Sequence, residues 1–242
     1  MRVTPTRSKR RRRVPNTQFL LAENRILIIL SLSLIILTTV TDIHPEFARM
    51  LGRAAKESLL GQRGHVFWLY GLSGSGKSTL AHRLERELHS HGRMTTLLDG
   101  DNLRTGLNAG LGFTDADRAE NIRRAAEVAK LFADNGIITI ASFICPKTSL
   151  RALARETIGS ADFSEIYVKA SFAACQQRDV KGLYAKAAAG QIASFTGKDS
   201  GFEEPTPASP ADLVLDTENS DIEACLSMLM AHVSPRISPV TL

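Results

Sequence analysis

The sequence is short of cysteine: it has three in 242 residues, Cys145, Cys175 and Cys225, widely spaced and with no C-x-x-C pair. That argues against a disulfide framework and against a zinc site, and it suits a reducing compartment. A uniformly basic surface is missing too. Of the net charge of +5, +7 lies before residue 26, where eight basic side chains face one acidic one, so the rest of the chain is net −2. Nucleic-acid binding would therefore rest on the tail alone, and none is expected. No apolar run is long enough to span a bilayer. The longest, Ile26–Val40, has 15 residues, against the roughly 17–25 a membrane helix needs. No small-residue cleavage site follows it, and no internal repeat is visible.

Residues 1–40 form a basic and hydrophobic extension with several readings: a signal-peptide core, a short anchor, an interfacial segment, or a translated stretch without function. The arginines before the apolar run would keep the N-terminus inside and send the rest outward, away from ATP. A cytoplasmic enzyme is the expectation, with membrane association through the extension left open. The whole chain is 43% hydrophobic and 23% charged, and the remainder, 41–242, is long enough for one domain with a real core.

From Thr41 on, strands and helices alternate. Strands are expected at Val66–Tyr70, Thr95–Asp99, Ile137–Phe143, Glu165–Lys169 and Asp212–Leu215. Helices are expected at Ser78–His89, Ala116–Asn135, Ser149–Thr157 and Asp221–Ala231. The order predicts a three-layer α/β sandwich of the P-loop NTPase type, with a mostly parallel five-stranded sheet and helices on both faces. Asp179–Pro210, rich in Gly, Ala, Pro and Lys, reads as a long irregular lid.

The segment after the first strand, GLSGSGKST, matches G-x-x-x-x-G-K-[ST] with Gly71, Gly76, Lys77 and Ser78 in place. Glycines let backbone N–H groups turn onto phosphates, and the helix start adds its dipole. Gly71, Ser73, Gly74, Ser75, Gly76, Lys77, Ser78 and Thr79 are the expected ATP site. Lys77 reaches the β- and γ-phosphates, and the Ser78 hydroxyl binds Mg²⁺. Asp99 and Asp101 end the second strand at the carboxyl edge of the sheet, where parallel-sheet enzymes bind ligands. Asp101 is the candidate proton acceptor and second Mg²⁺ ligand, with capping of the following helix as the alternative, and Arg104 meets an anionic acceptor. In the next helix Arg118 and Asn121 fall near one face. On the residues alone the acceptor stays open. Another small-molecule kinase of this fold, or an inactive nucleotide-binding subunit, would share the loop.

In order, the segments GLSGSGKSTLA, LDGDNLR, GFTDADRAENIRR, SFICP, RDVKGLYAKA and FTGKDSGFEEP resemble the adenylyl-sulfate kinase (APS kinase) family, and the likeness runs from about Thr41 to Ala231. The resemblance implies transfer of the γ-phosphate of ATP to the 3′-hydroxyl of adenosine 5′-phosphosulfate, giving PAPS for sulfate activation. It also implies Mg²⁺, a homodimer, and coupling to an ATP sulfurylase, for which this chain has no second domain. It further implies that Asp101, Arg104, Phe113, Arg118, Asn121, Ile144, Cys145, Lys181, Ser194 and Phe195 bind the acceptor, with Phe113 and Phe195 on its adenine. Arg178 would lie on the ATP side. Cys145 stands where the family commonly carries a serine described as a phosphoserine intermediate, and Lys147 where an aromatic is common. In-line phosphoryl transfer needs positioning and charge neutralisation, with no covalent step. Cys145 is therefore expected to be a small wall residue, contributing backbone groups together with Ile144.

Overall fold

The computed structural model describes residues 43–191, 195–197 and 200–239; the readings of residues 1–40 and of Ser194 lie outside them. Residues Leu51–Leu242 make one compact unit. Its centre is β1 (His65–Tyr70), buried at every position. Around it stand β2 (Thr95–Asp99), β3 (Ile138–Phe143), β4 (Phe163–Lys169) and β5 (Leu213–Asp216), in the order β2-β3-β1-β4-β5. Every pairing among them is parallel.

The alternation of side chains along β1 builds the layers. Val66, Trp68 and Tyr70 point into a core with the alanine-rich face of α4 (Asp115–Ala133) and with α5 (Thr148–Ile158). Phe67 and Leu69 point the other way, onto α2 (Lys77–Ser90) and α8 (Ile222–Ile237). Small residues at Ala125, Ala126 and Ala129 leave room beneath α4 for Trp68 and Phe143 of the neighbouring strands, whose rings stack with centroids 4.8 Å apart. A strand buried on both faces is why HVFWLY carries no polar side.

All five expected strands and all four expected helices are present, with ends shifted by a few residues. The largest shift is in α8, which runs through Pro235 to Ile237 instead of stopping at Ala231. Val233 and Ile237 are buried against the sheet, and that packing outweighs the proline. Besides the short α3 (Gly100–Leu103), weighed as the helix following Asp101, three helices went unread: α1 (Arg53–Leu60), α6 (Phe172–Arg178) and α7 (Leu183–Ala188). The last lies inside the lid, so Asp179–Pro210 is not irregular throughout. The Asp179 carboxylate caps α7 by accepting from the Tyr184 and Ala185 amides at 3.0 Å each. No helix among the described residues is long and apolar enough to cross a membrane.

Candidate active site

The loop from Gly71 to Gly76 joins β1 to α2 at the carboxyl edge of the sheet. Two of its glycines are required by close approach. At Gly71 a Cβ would run into the Val168 carbonyl oxygen, and at Gly74, with φ 78°, it would meet the Cys175 carbonyl at 3.1 Å. Lys77 opens α2 with its side chain turned inward, 7% exposed, and Nζ donates to the Leu72 carbonyl at 2.7 Å. Burial lowers its pKa to about 8. The Ser75 hydroxyl is buried with no hydrogen-bond partner. A ring of backbone with an inward lysine and an unpaired hydroxyl fits a polyphosphate.

The carboxylate beside Ser78 is Asp99. Its Oδ2 accepts from Ser78 Oγ at 3.1 Å, while its Oδ1 caps α3 by accepting from the Asp101 and Asn102 amides at 3.0 and 3.5 Å. The helix cap that was the alternative role for Asp101 is thus made by Asp99, which also contacts the Ser78 hydroxyl. Asp101 itself is exposed and paired with Lys181 from the lid. Hydroxyl and carboxylate oxygens around Ser78, with Ser142 Oγ at 3.5 Å, are hard donors of the kind Mg²⁺ accepts. No cluster of three or more His, Cys, Asp or Glu side chains able to hold a metal occurs among the described residues.

Phe113 is 59% exposed. The Arg104 guanidinium lies 4.4 Å over its ring, held there because Nη1 donates to the Leu111 and Gly112 carbonyls at 3.0 Å each. Arg118 donates from Nε to the Phe113 carbonyl at 3.0 Å and from Nη1 to Thr196 Oγ1 at 3.2 Å, which connects α4 to the lid. Opposite, Arg178 donates to the Gly74 carbonyl at 3.4 Å and to the Thr217 carbonyl at 2.7 Å. Thr217 in turn donates to the Ser75 carbonyl at 2.7 Å. Thr217 was not read from the sequence, since nothing in DTENS marks it. Tyr184 of α7 also locks onto the loop through the Ser73 carbonyl at 2.7 Å.

Phe195 and Asn121 are engaged with other side chains, and the Cys145 thiol is enclosed. Phe195, expected on the acceptor's base, is 7% exposed and packs edge-on against Tyr184, 4.8 Å between centroids. The Asn121 carboxamide is buried and accepts from Asn108 Nδ2 at 3.0 Å, tying the loop after α3 to α4 instead of facing outward. The Cys145 thiol is buried, and burial pushes its pKa up to about 12, far from a reactive thiolate. A cavity of about 290 Å³ between Leu72 and the lid residues Gly197 and Phe202 is lined by none of the residues assigned to the acceptor.

Cys145 also has φ 41°, in the left-handed region, which costs a non-glycine residue about 1–3 kcal/mol. The Ile144 carbonyl accepts from the Gly71 N–H at 3.4 Å, so the turn leaving β3 abuts the phosphate loop through its backbone. Cys145→Ser is expected to leave kcat within about threefold, because the buried side chain contributes bulk rather than reactivity. A thousandfold loss in steady-state assays with the fold intact would revive a covalent route.

The Adenylylsulphate kinase family model matches residues 63–216. An adenylyl-sulfate kinase of Bacteroides fragilis is 54% identical over 81% of this chain and 96% of its own length. One from Phocaeicola vulgatus is 55% identical over 80% and 94%. Among solved structures, the APS kinase of Mycobacterium tuberculosis in complex with AMPPNP and APS aligns with a TM-score of 0.67 at 45% identity, covering 71% of this chain and 98% of that one. Fold, phosphate loop and matched length agree, and the chain belongs to the adenylylsulphate kinase family.

Proposed function

We propose that the protein transfers the γ-phosphoryl group of ATP to the 3′-hydroxyl of adenosine 5′-phosphosulfate, releasing ADP and PAPS. The observation that carries this reading is the double engagement of Asp99. One oxygen holds the phosphate-loop Ser78 hydroxyl and the other fixes the turn that presents Asp101, so donor and acceptor sites share one carboxylate. The acceptor's adenine takes the exposed face of Phe113, with Arg104 behind the ring; base stacking of this kind contributes about 1–3 kcal/mol. Arg118 and Lys181 meet its phosphosulfate, and Arg178 takes the ATP side.

The acceptor's 3′-oxygen attacks the γ-phosphorus in line. The new O–P bond forms as the bond to the β,γ-bridging oxygen breaks, and Asp101 takes the hydroxyl proton. Lys77 neutralises charge on the transferring group. Ser78 and Asp99 would hold Mg²⁺, which would supply further charge neutralisation. Self-association as a dimer and supply of adenylyl sulfate by a separate sulfurylase complete the reading.

Incubation with ATP, Mg²⁺ and adenylyl sulfate, followed by chromatographic detection of PAPS, tests it. No PAPS, or turnover only with another small hydroxyl acceptor, would overturn it. The buried Lys77 sets a pH limit. With its pKa lowered to about 8, the free enzyme loses the ammonium as pH rises through 8. Accordingly kcat/KM for ATP is expected to fall about tenfold per pH unit above that value, while kcat at saturating ATP holds, since bound phosphates keep the lysine charged. A flat kcat/KM profile from pH 7 to 9.5 would contradict this.

A further inference from the structure

Arg151, in α5, is a fully buried charge that neither phosphate site uses, 1% exposed. Its guanidinium is engaged in four directions. Nε donates to Glu165 Oε1 at 2.8 Å, Nη1 to the Cys145 carbonyl at 3.4 Å and Nη2 to Thr148 Oγ1 at 3.0 Å. Its flat face lies 4.5 Å over the Tyr70 ring. Tyr70 is the last residue of β1, immediately before Gly71. One rigid plane therefore touches both the strand that carries the phosphate loop and the turn that leaves β3.

An ion pair with Glu165 alone would leave most of that buried fork without acceptors. The remaining donors go to the Cys145–Thr148 turn, which needs holding, because a cysteine at φ 41° persists only where its surroundings enforce it. A second clamp closes from the lid side. The Glu203 N–H donates to the Pro146 carbonyl at 2.8 Å, and Glu203 Oε2 accepts from the Thr148 N–H at 2.7 Å. Four polar groups of the turn, two carbonyls, one amide and one hydroxyl, are thus fixed by two residues from opposite sides.

We infer that Arg151 and Glu203 are positioning residues for the acceptor: they hold the Cys145 turn so that the Ile144 and Cys145 backbone groups meet the sulfonucleotide. This rests on the proposed reaction and adds a consequence. Because Glu203 belongs to the returning end of the lid, the turn is fully set only with that end in place.

The test is steady-state kinetics with both substrates varied, alongside calorimetric binding of adenylyl sulfate, which needs no turnover. Arg151→Lys keeps a charge for Glu165 and loses the fork, and Glu203→Ala removes an exposed side chain without disturbing the core. Both are expected to raise the KM and Kd for adenylyl sulfate about tenfold while leaving the KM for ATP within about twofold. Cys145→Gly in the Arg151→Lys background is expected to recover acceptor affinity, because glycine takes the positive φ without strain. Lower thermal midpoints with acceptor affinity unmoved, or both KM values rising together, would overturn the inference. Should Arg151→Lys fail to fold, Glu203→Ala decides by itself. Absence of PAPS from the unaltered chain counts against the reaction, whereas an unmoved Kd in Glu203→Ala counts against the positioning role.

Discussion

Lys77→Ala is expected to lower kcat/KM for ATP by about 10³-fold or more, with the fold kept. The side chain is nearly enclosed by the phosphate loop, and its ammonium already points along the loop's inner wall to the Leu72 carbonyl. Charge inside such a ring acts in a low dielectric, where it counts for more than at the surface. Alanine is the best helix former, so the first turn of α2 survives the change. Arginine is not expected to rescue the loss, since its broad planar head does not fit where a compact ammonium is buried. Initial rates together with circular dichroism measure this. Activity above a tenth of the unmodified level in a folded variant would remove Lys77 from the mechanism.

Asp101→Ala is expected to lower kcat by about 10²–10⁴-fold, the range for loss of a positioned proton acceptor, and to leave stability nearly untouched. The side chain is 72% exposed and its partner Lys181 is 54% exposed, and pairs of that kind contribute about 0–1 kcal/mol. Asp99→Ala makes the contrast. It removes a helix cap worth about 1 kcal/mol and the contact with Ser78 together, so rate and thermal midpoint fall in the same variant. Measuring kcat and thermal unfolding on both separates a chemical carboxylate from an organising one. Unchanged kcat in Asp101→Ala would leave the acceptor proton without the base assigned to it.

That division of labour marks the limit of what the chain discloses by itself. The D-G-D spacing puts two carboxylates at a strand end, and only the turn after Asp99 decides which one faces Ser78. The phosphate loop was legible because its chemistry is local: strand, glycines, lysine and helix follow one another. The strands were legible because a sheet covered on both faces leaves apolar runs such as IITIASF. The lid helix was not, since Leu183–Ala188 is short and alanine-rich, with too few turns to show a period. Phe195 and Asn121 took other partners, Tyr184 and Asn108, because tertiary packing sets the direction of a side chain that spacing can only list. Arg151 reads as one more charge on a helix until β4 brings Glu165 beneath it.

The parallel sheet also sets how the chain must assemble. Its shortest-range pairing joins Thr95 to Ile138 and its longest joins Val66 to Phe163, so no hairpin exists to nucleate it. Loop closure comes before any ladder forms, which places the protein among slow-folding topologies. During synthesis β1, buried at every position in the finished fold, waits unpaired until β3 and β4 have been made. For that interval HVFWLY is an exposed, sticky hexapeptide, and its shielding governs the yield of active enzyme.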